Sequence, residues 1–152
     1  MLEVETPADM KAHIGQKIGT SEWVLVDQPM IDKFAEATGD HQWIHVDVER
    51  AKREMPGGKT IAHGYLTLSL LPVASYEVLP RDPDARMGIN YGLNRVRFPA
   101  PVPVGSRVRA TFEVVSVEEI EGGSQRTLKA TVEREGGDKP VCVAEVVFRS
   151  YR

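Results

Sequence analysis

The strongest constraint on the fold is a change in the period of the apolar residues partway along the 152-residue chain. Before a turn-rich segment at 80–84 the pattern is helical, and after it apolar and polar residues alternate with a period of two. The alternating runs occupy residues 106–114, 126–133 and 141–151. Glycine pairs separate these runs, where hairpin turns need positive φ angles. The second half of the chain is therefore predicted to form antiparallel strands of roughly eight to twelve residues.

The first half carries helix signals instead. Asp27 is a typical N-cap, Pro29 follows it in the first turn, and Gly39 ends the helix predicted between them. A short polar helix is predicted over 47–53.

One segment, residues 63–78, is apolar on nearly every face, which predicts a helix enclosed by other structure. Pro72 lies inside it and predicts a bend, because proline removes a backbone donor. An antiparallel sheet curled around this helix gives an α+β fold. The length fits a single domain, which we assign to residues 1–152.

Charge and composition exclude several classes of function. The chain has 19 Lys and Arg against 22 Asp and Glu, and this net charge of -3 gives no general attraction to nucleic acid or anionic membranes. No stretch approaches the roughly 18 apolar residues of a spanning helix, and residues 1–7 lack the features of a secretion signal. The single Cys142 forms no intramolecular disulfide and, in an alternating strand, is expected to be buried and inert. We therefore expect a protein of the reducing cytoplasm.

The densest group of reactive side chains follows the first predicted helix. Asp40 and His45 lie five residues apart across a turn, where a carboxylate and an imidazole can converge on one water. The apolar Trp43 and Ile44 between them would lower the local dielectric constant and move either pKa toward neutrality. A Gly-Asp turn beside a packing histidine is the structural alternative.

Metal binding is a second functional alternative for this segment. His41 and His45 are four residues apart, with Asp40, Asp47 and His63 as further donors. However, the pair lacks the internal glutamate of the hydrolytic zinc helix, and Gly39 argues against one regular helix.

Three separated motifs, in this order, resemble one family. They are FAEATGDHQWIHVDVERA at 34–51, IAHGYL at 61–66 and LNRVRFPAPVPVG at 93–105. Together they resemble the MaoC-like dehydratases, a family of (R)-specific enoyl-CoA hydratases, and especially its branch containing nodulation protein N. The resemblance covers nearly the whole chain and implies a hotdog fold and a homodimer.

The resemblance also implies roles for individual residues. Asp40 and His45 would be the catalytic dyad that adds water to a trans-2-enoyl-CoA, giving the (R)-3-hydroxyacyl-CoA, with dehydration as the reverse reaction. The backbone N–H of Gly64 would stabilise the charge that develops on the thioester oxygen. No metal or redox cofactor is expected, and CoA enters as part of the substrate.

The family pattern is departed from at two places. Gln42 and Trp43 replace a frequent Asn-Pro, and Pro72 occupies the position of an assisting serine. Ser69 and Ser75 lie nearby in the sequence, but neither is favoured as its substitute. For His63, a structural role at the helix start is favoured. The remaining secondary candidates are of two kinds. The candidates for substrate or water contact are Gln42 and Asn94, and those for CoA phosphate contact are Lys59, Arg95 and Arg97.

Two other functions remain open from the sequence. A hotdog acyl-thioester hydrolase would use the same water against the carbonyl carbon. A non-catalytic acyl-CoA-binding module would keep the dyad in an unproductive loop. The absence of a basic patch favours a CoA thioester over an acidic carrier protein.

Overall fold

The computed structural model describes residues 4–152. The first three residues, which belong to the predicted domain and to the segment 1–7 compared with a secretion signal, lie outside the described residues. The helices are α1 (Gln28–Thr38), α2 (Trp43–Val46), α3 (Val48–Glu54), α4 (Gly64–Ser69) and α5 (Leu71–Val78), with 3-10 turns at Asp9–His13 and Pro56–Gly58. The strands are β1 (Lys17–Thr20), β2 (Val24–Val26), β3 (Met87–Arg97), β4 (Ser106–Ile120), β5 (Gly123–Arg134) and β6 (Cys142–Tyr151).

The strands form one six-stranded antiparallel sheet in the order β1-β4-β5-β6-β3, and β2 also pairs with β4. The three alternating runs are confirmed as strands, but β4 has 15 residues and exceeds the predicted length. Its pairing with β5 continues through a register irregularity between Val114 and Ser116, where the alternation weakens. The sequence did not predict β1 and β2, because runs of four and three residues carry little periodic signal.

The apolar segment 63–78 forms two helices, which meet at Leu70. Pro72 lies in the first turn of α5, where its missing N–H would have no helical partner, and the helix is interrupted at Leu70, two residues before the proline at which a bend was predicted. Leu66, Leu71 and Ala74 on these helices are buried in one core with residues of β4 and β5.

The opposite face of these helices is uncovered, so the prediction of an enclosed helix is wrong for the single chain. Tyr65 is 71% exposed and Tyr76 is 76% exposed. Next to this face, β3 lies at the edge of the sheet, with Met87 and Leu93 also exposed. Within residues 4–152, no helix has the length and hydropathy to cross a membrane.

The capping residues fix the chain around the dyad. The Asp27 carboxylate accepts a hydrogen bond from the Met30 N–H at 3.1 Å, and Gly39 ends α1 with a φ of 84°. Asp47 caps α3, so the predicted polar helix is shifted by one residue to Val48–Glu54. Between these helices lies the short α2, which the sequence did not predict.

Candidate active site

Three polar side chains from two separate segments converge beside the start of α4. Asp40 follows the glycine that ends α1, His45 lies on α2, and His63 immediately precedes α4. One ligating atom from each lies within 4.8 Å of the other two. The imidazole rings of His45 and His63 stack, with centroids 3.8 Å apart and planes inclined by 24°.

His45 is buried, and its ring is oriented by the backbone. Its Nδ1 lies 2.6 Å from the Ile61 carbonyl oxygen. A carbonyl only accepts, so Nδ1 must carry the proton, and the Nε2 of the neutral ring keeps its lone pair. Burial lowers the pKa of His45 from its ordinary value, and the neighbouring His63 adds to this, while the Ile61 hydrogen bond and the Asp40 carboxylate partly raise it.

His63 is 3% exposed and bonds to the backbone of the dyad itself. Its Nε2 lies 3.0 Å from the Asp40 carbonyl oxygen. Its Nδ1 is buried and has no partner among the residues that the structure describes. His63 is the N-cap residue of α4, as expected from the sequence, and its carbonyl oxygen accepts from the Leu66 N–H at 3.0 Å, but its side chain makes no capping bond.

Asp40 is exposed, in contrast to the two histidines, and its carboxylate accepts a long hydrogen bond of 3.3 Å from the Gln42 N–H. The carboxylate is therefore open to water and lies beside the buried imidazoles. This combination can hold one water between an anionic acceptor and a neutral acceptor.

A cavity of about 340 Å³ opens at His45, the one residue of the dyad that lines it, and is called the dyad cavity below. It is lined by His45, Ile61, Ala62, Gly64, Thr67, Phe98, Pro99, Ala100, Pro101, Val102 and Val141. The apolar surroundings expected from Trp43 come instead from these residues, because the Trp43 ring lies under the Arg50 guanidinium at 4.0 Å. A side chain at Gly64 would lie 3.0 Å from the Phe98 ring, so glycine keeps the backbone of this position accessible.

The arrangement differs from the metal site considered from the sequence. His41 is exposed and is not part of the cluster, whose second imidazole is His63. Of the donors considered from the sequence, Asp40, His45 and His63 lie together, with one ligating atom of each within 4.8 Å of the others. One nitrogen of each imidazole already lies within hydrogen-bond distance of a backbone carbonyl oxygen.

The secondary candidates are distributed over the molecule. Asn94 donates to the Glu145 carboxylate at 2.8 Å and does not line the dyad cavity, because both side chains lie on paired strands at the sheet surface. Gln42 contributes its backbone to Asp40. Arg97 donates to the neighbouring Val96 carbonyl oxygen.

The remaining candidates make contacts away from the dyad. Arg95 is exposed on β3, and only Lys59 lines a groove next to the cavity. The Ser69 hydroxyl donates to the Leu66 carbonyl oxygen, and the Ser75 hydroxyl donates to the Pro72 carbonyl oxygen. Neither hydroxyl therefore takes the place of the family serine, whose position Pro72 occupies.

Two features of the site were not predicted from the sequence. One is the contact of His63 with Asp40, and the other is the basic groove, which Lys59 shares with Arg107 and Arg134. The only available signal was the position of His63 before Gly64, since residues of β4 and β5 reach the groove through tertiary structure alone.

An antiparallel sheet packed on central helices, with a carboxylate and a histidine beside the first of those helices, is the arrangement of a hotdog-fold protein with acid–base side chains. The chain belongs to the MaoC-like dehydratase family, since the model of the MaoC-like domain matches residues 9–137. It is 53% identical over 150 residues to 3-hydroxyacyl-thioester dehydratase Z of Mycobacterium tuberculosis, and the alignment covers 98% of each chain.

A second relative agrees with this assignment, and a solved structure agrees with the fold. The chain is 51% identical over 139 residues to nodulation protein N of Rhizobium leguminosarum bv. viciae, which covers 90% of this chain and 86% of that one. Its fold matches that of the unliganded R-hydratase PhaJ1 of Pseudomonas aeruginosa with a TM-score of 0.76, at 24% identity over 98% of this chain and 87% of that one. The resemblance, the fold and the enzyme class expected from the sequence are thereby confirmed.

The environment of His45 predicts its titration. Because burial disfavours the imidazolium, His45 should stay neutral as the pH falls and take up a proton only below 6.5, the ordinary value of a histidine pKa. A pH titration of the ring by ¹H–¹⁵N NMR, with the His45→Gln variant to assign the signal, measures this midpoint. A midpoint at or above the ordinary value would contradict the analysis.

Proposed function

We propose that this chain is an (R)-specific enoyl-CoA hydratase that adds water reversibly to a trans-2-enoyl-CoA. The observation that carries the proposal is the free Nε2 lone pair of His45 beside the Asp40 carboxylate, at an apolar cavity. The name of the mycobacterial relative, a 3-hydroxyacyl-thioester dehydratase, supports a thioester substrate of this type.

The two groups have different parts in the reaction. A water donates one hydrogen bond to the Asp40 carboxylate and the other to His45 Nε2, which orients it. The water oxygen attacks the β-carbon as Asp40 takes the proton, and the π electrons move to the thioester oxygen. The carboxylic acid then returns its proton to the α-carbon, so that H and OH have been added and Asp40 is ionised again.

The thioester oxygen becomes negative during this step and needs a donor. Gly64 begins α4, and N–H groups in the first turn of a helix have no acceptor within the helix. Gly64 also lines the cavity and presents no side chain to an incoming thioester. We assign its N–H to the developing oxyanion.

The proposed reaction uses no metal and no redox cofactor. Protons are exchanged by Asp40, His45 orients the water, and the thioester itself draws electrons from the double bond. This division is consistent with the hydrogen bond that each of the two imidazoles makes to a backbone carbonyl oxygen.

Loss of the enoyl absorbance of trans-2-butenoyl-CoA, with chiral analysis of the product, tests the function. The wild type should form the (R)-alcohol, before and after dialysis against EDTA. Asp40→Asn and His45→Gln should each lower kcat by roughly 10²–10⁴-fold, the usual contribution of a positioned acid-base group. His41→Gln, on the same loop but exposed, is the matched control and should retain activity.

Other outcomes identify the competing functions. Release of free CoA without formation of the alcohol would indicate a hydrolase. Binding of the thioester without turnover would indicate a binding module, and full activity in Asp40→Asn would locate the chemistry elsewhere.

The phosphates of CoA are assigned to a groove of about 700 Å³ that shares Ile61 and Pro101 with the dyad cavity. The groove contains three cations, Lys59, Arg107 and Arg134, and one carboxylate, Glu135. Arg107 is paired with Glu135, whereas Lys59 and Arg134 form no ion pair with any residue that the structure describes. A positive cleft in an acidic protein favours an anionic group there.

Removing this charge should affect only substrates that carry the phosphates. The double variant Lys59→Gln and Arg134→Gln should raise KM for trans-2-butenoyl-CoA about tenfold, because a hydrogen bond to a charged group contributes ~1.5 kcal/mol or more. KM for the N-acetylcysteamine thioester of the same acid, which lacks the phosphates, should not change.

The matched control is Arg95→Gln with Arg97→Gln, which removes the same charge from β3. An increase in KM in this control instead would move the phosphate contact to the strand. An increase with both thioesters would show that the groove variant disturbs the dyad.

We also propose that two copies associate through the uncovered side of the chain. Large exposed apolar residues cluster on the edge strand and on the neighbouring helices. They are Tyr65, Val73, Tyr76, Met87, Ile89, Tyr91, Leu93 and Phe98. An apolar cleft lined by residues of α4, α5 and β3 lies between the two groups. An exposed antiparallel edge can pair with its own copy about a two-fold axis, which covers both surfaces at once.

Light scattering after size-exclusion chromatography tests the homodimer. The wild type should have twice the mass of one chain, and Leu93→Lys should shift the population to monomer because it places a charge in the interface. Val48→Lys changes an exposed apolar residue of α3 and should stay dimeric. A monomeric wild type, or loss of the dimer in both variants, would contradict the assignment.

We propose a cytoplasmic location for the same enzyme. Cys142 is buried and unbonded, and burial raises the pKa of its thiol to about 11. The thiol is therefore unreactive, and the described fold uses no disulfide.

A further inference from the structure

His63 is the one imidazole of the cluster to which the proposed reaction gives no part. It is nearly fully buried, yet its side chain makes no capping bond to the helix that it precedes. A buried polar ring without a local structural partner has another reason to be there. Its one hydrogen bond leads across the site to Asp40.

The tautomer of His63 follows from its partners. The Asp40 carbonyl oxygen accepts only, so Nε2 carries a proton and donates it. Nδ1 is buried and has no hydrogen-bond partner in the described part of the chain. A proton on Nδ1 would be a buried donor without an acceptor, which is costly. The geometry therefore favours the tautomer of His63 with the proton on Nε2.

The hydrogen bond also connects two independent loops. Asp40 lies in an exposed segment after the left-handed Gly39, whereas His63 is fixed between the buried Ala62 and the start of α4. Phe34 also packs against the His63 ring, with centroids 4.9 Å apart and planes inclined by 52°. The ring thus ties the backbone of an exposed carboxylate to the segment that carries the Gly64 N–H.

We propose that His63 is a positioning residue, which holds the Asp40 carboxylate in register with Gly64 and His45 through an Nε2–H···O=C bond to the Asp40 backbone. The expected effect on kcat rests on the proposed function. The tautomer of the His63 ring rests on geometry alone. Misplacement by about 1 Å in a site of this kind costs about 10²-fold in rate, so the bond affects kcat more than binding.

Two amide variants separate the hydrogen bond from the volume of the ring. The Nε2 of glutamine lies as many bonds from Cα as the Nε2 of histidine, whereas the amide of asparagine corresponds to Nδ1. His63→Gln should therefore keep kcat within a few-fold of wild type. His63→Asn should lose about 10²-fold in kcat with little change in KM, although both variants remove the stacked ring. Equal losses in the two variants, or wild-type kcat in His63→Asn, would overturn the proposal.

A measurement on the wild type keeps the test independent of activity and of the folding of the variants. ¹H–¹⁵N NMR of the uncharged His63 ring should show its proton on Nε2. A His63 ring that carries its proton on Nδ1 would overturn the assignment. A protein without hydratase activity but with this tautomer would contradict the proposed function and leave the hydrogen bond intact.

Discussion

The geometry of the site depends on hydrogen bonds that connect the segment after α1 to the segment before α4. His45 Nδ1 donates to the Ile61 carbonyl oxygen, and the Ile61 N–H donates back to Ile44. A few residues away, the buried Thr60 hydroxyl donates to the Gln28 amide oxygen at 2.6 Å, and the Gln28 amide nitrogen donates to the His45 carbonyl oxygen at 2.8 Å. Without these bonds neither loop has enough regular structure to fix a side chain.

The second segment is in turn held by the sheet. The Ala62 N–H donates to Val102, and the Val104 N–H donates to Thr60, so the chain before α4 runs along the segment that leads into β4. The core that β4 shares with α4 and α5 therefore supports both the wall of the cavity and the carbonyl that orients His45. Each imidazole of the site donates to a backbone carbonyl oxygen, His45 to Ile61 and His63 to Asp40, and these bonds orient the two rings.

The parts of this structure that the sequence predicted are those governed by local rules. Asp27 and Gly39 mark the ends of α1 through capping and a left-handed φ angle, and Pro72 marks the break between α4 and α5. The pairing of Asp40 with His45 across one turn is also local. The contact of His63 with the Asp40 carbonyl spans 23 residues and requires the tertiary arrangement of two loops.

Contacts at the sheet surface and at the sheet edge could not be predicted from the sequence either. Asn94 was expected near the substrate, but its partner Glu145 becomes a neighbour only through the pairing of β3 with β6. The uncovered face of the central helices escaped prediction for a different reason. Periodicity reports that a face is apolar, and it does not report whether the same chain or a second copy covers it.

The proposed association links this uncovered face to the chemistry. Tyr65 follows Gly64, and its ring meets that of Phe98 edge-on at 6.3 Å between centroids. Phe98 lines the dyad cavity on one side and is 41% exposed on the other. A second copy that covers Tyr65 and Phe98 would also fix the wall against which Gly64 lies, and so exclude water from the oxyanion position. In the proposed dimer, the surface that completes the apolar core would therefore be continuous with the surface that completes the active site.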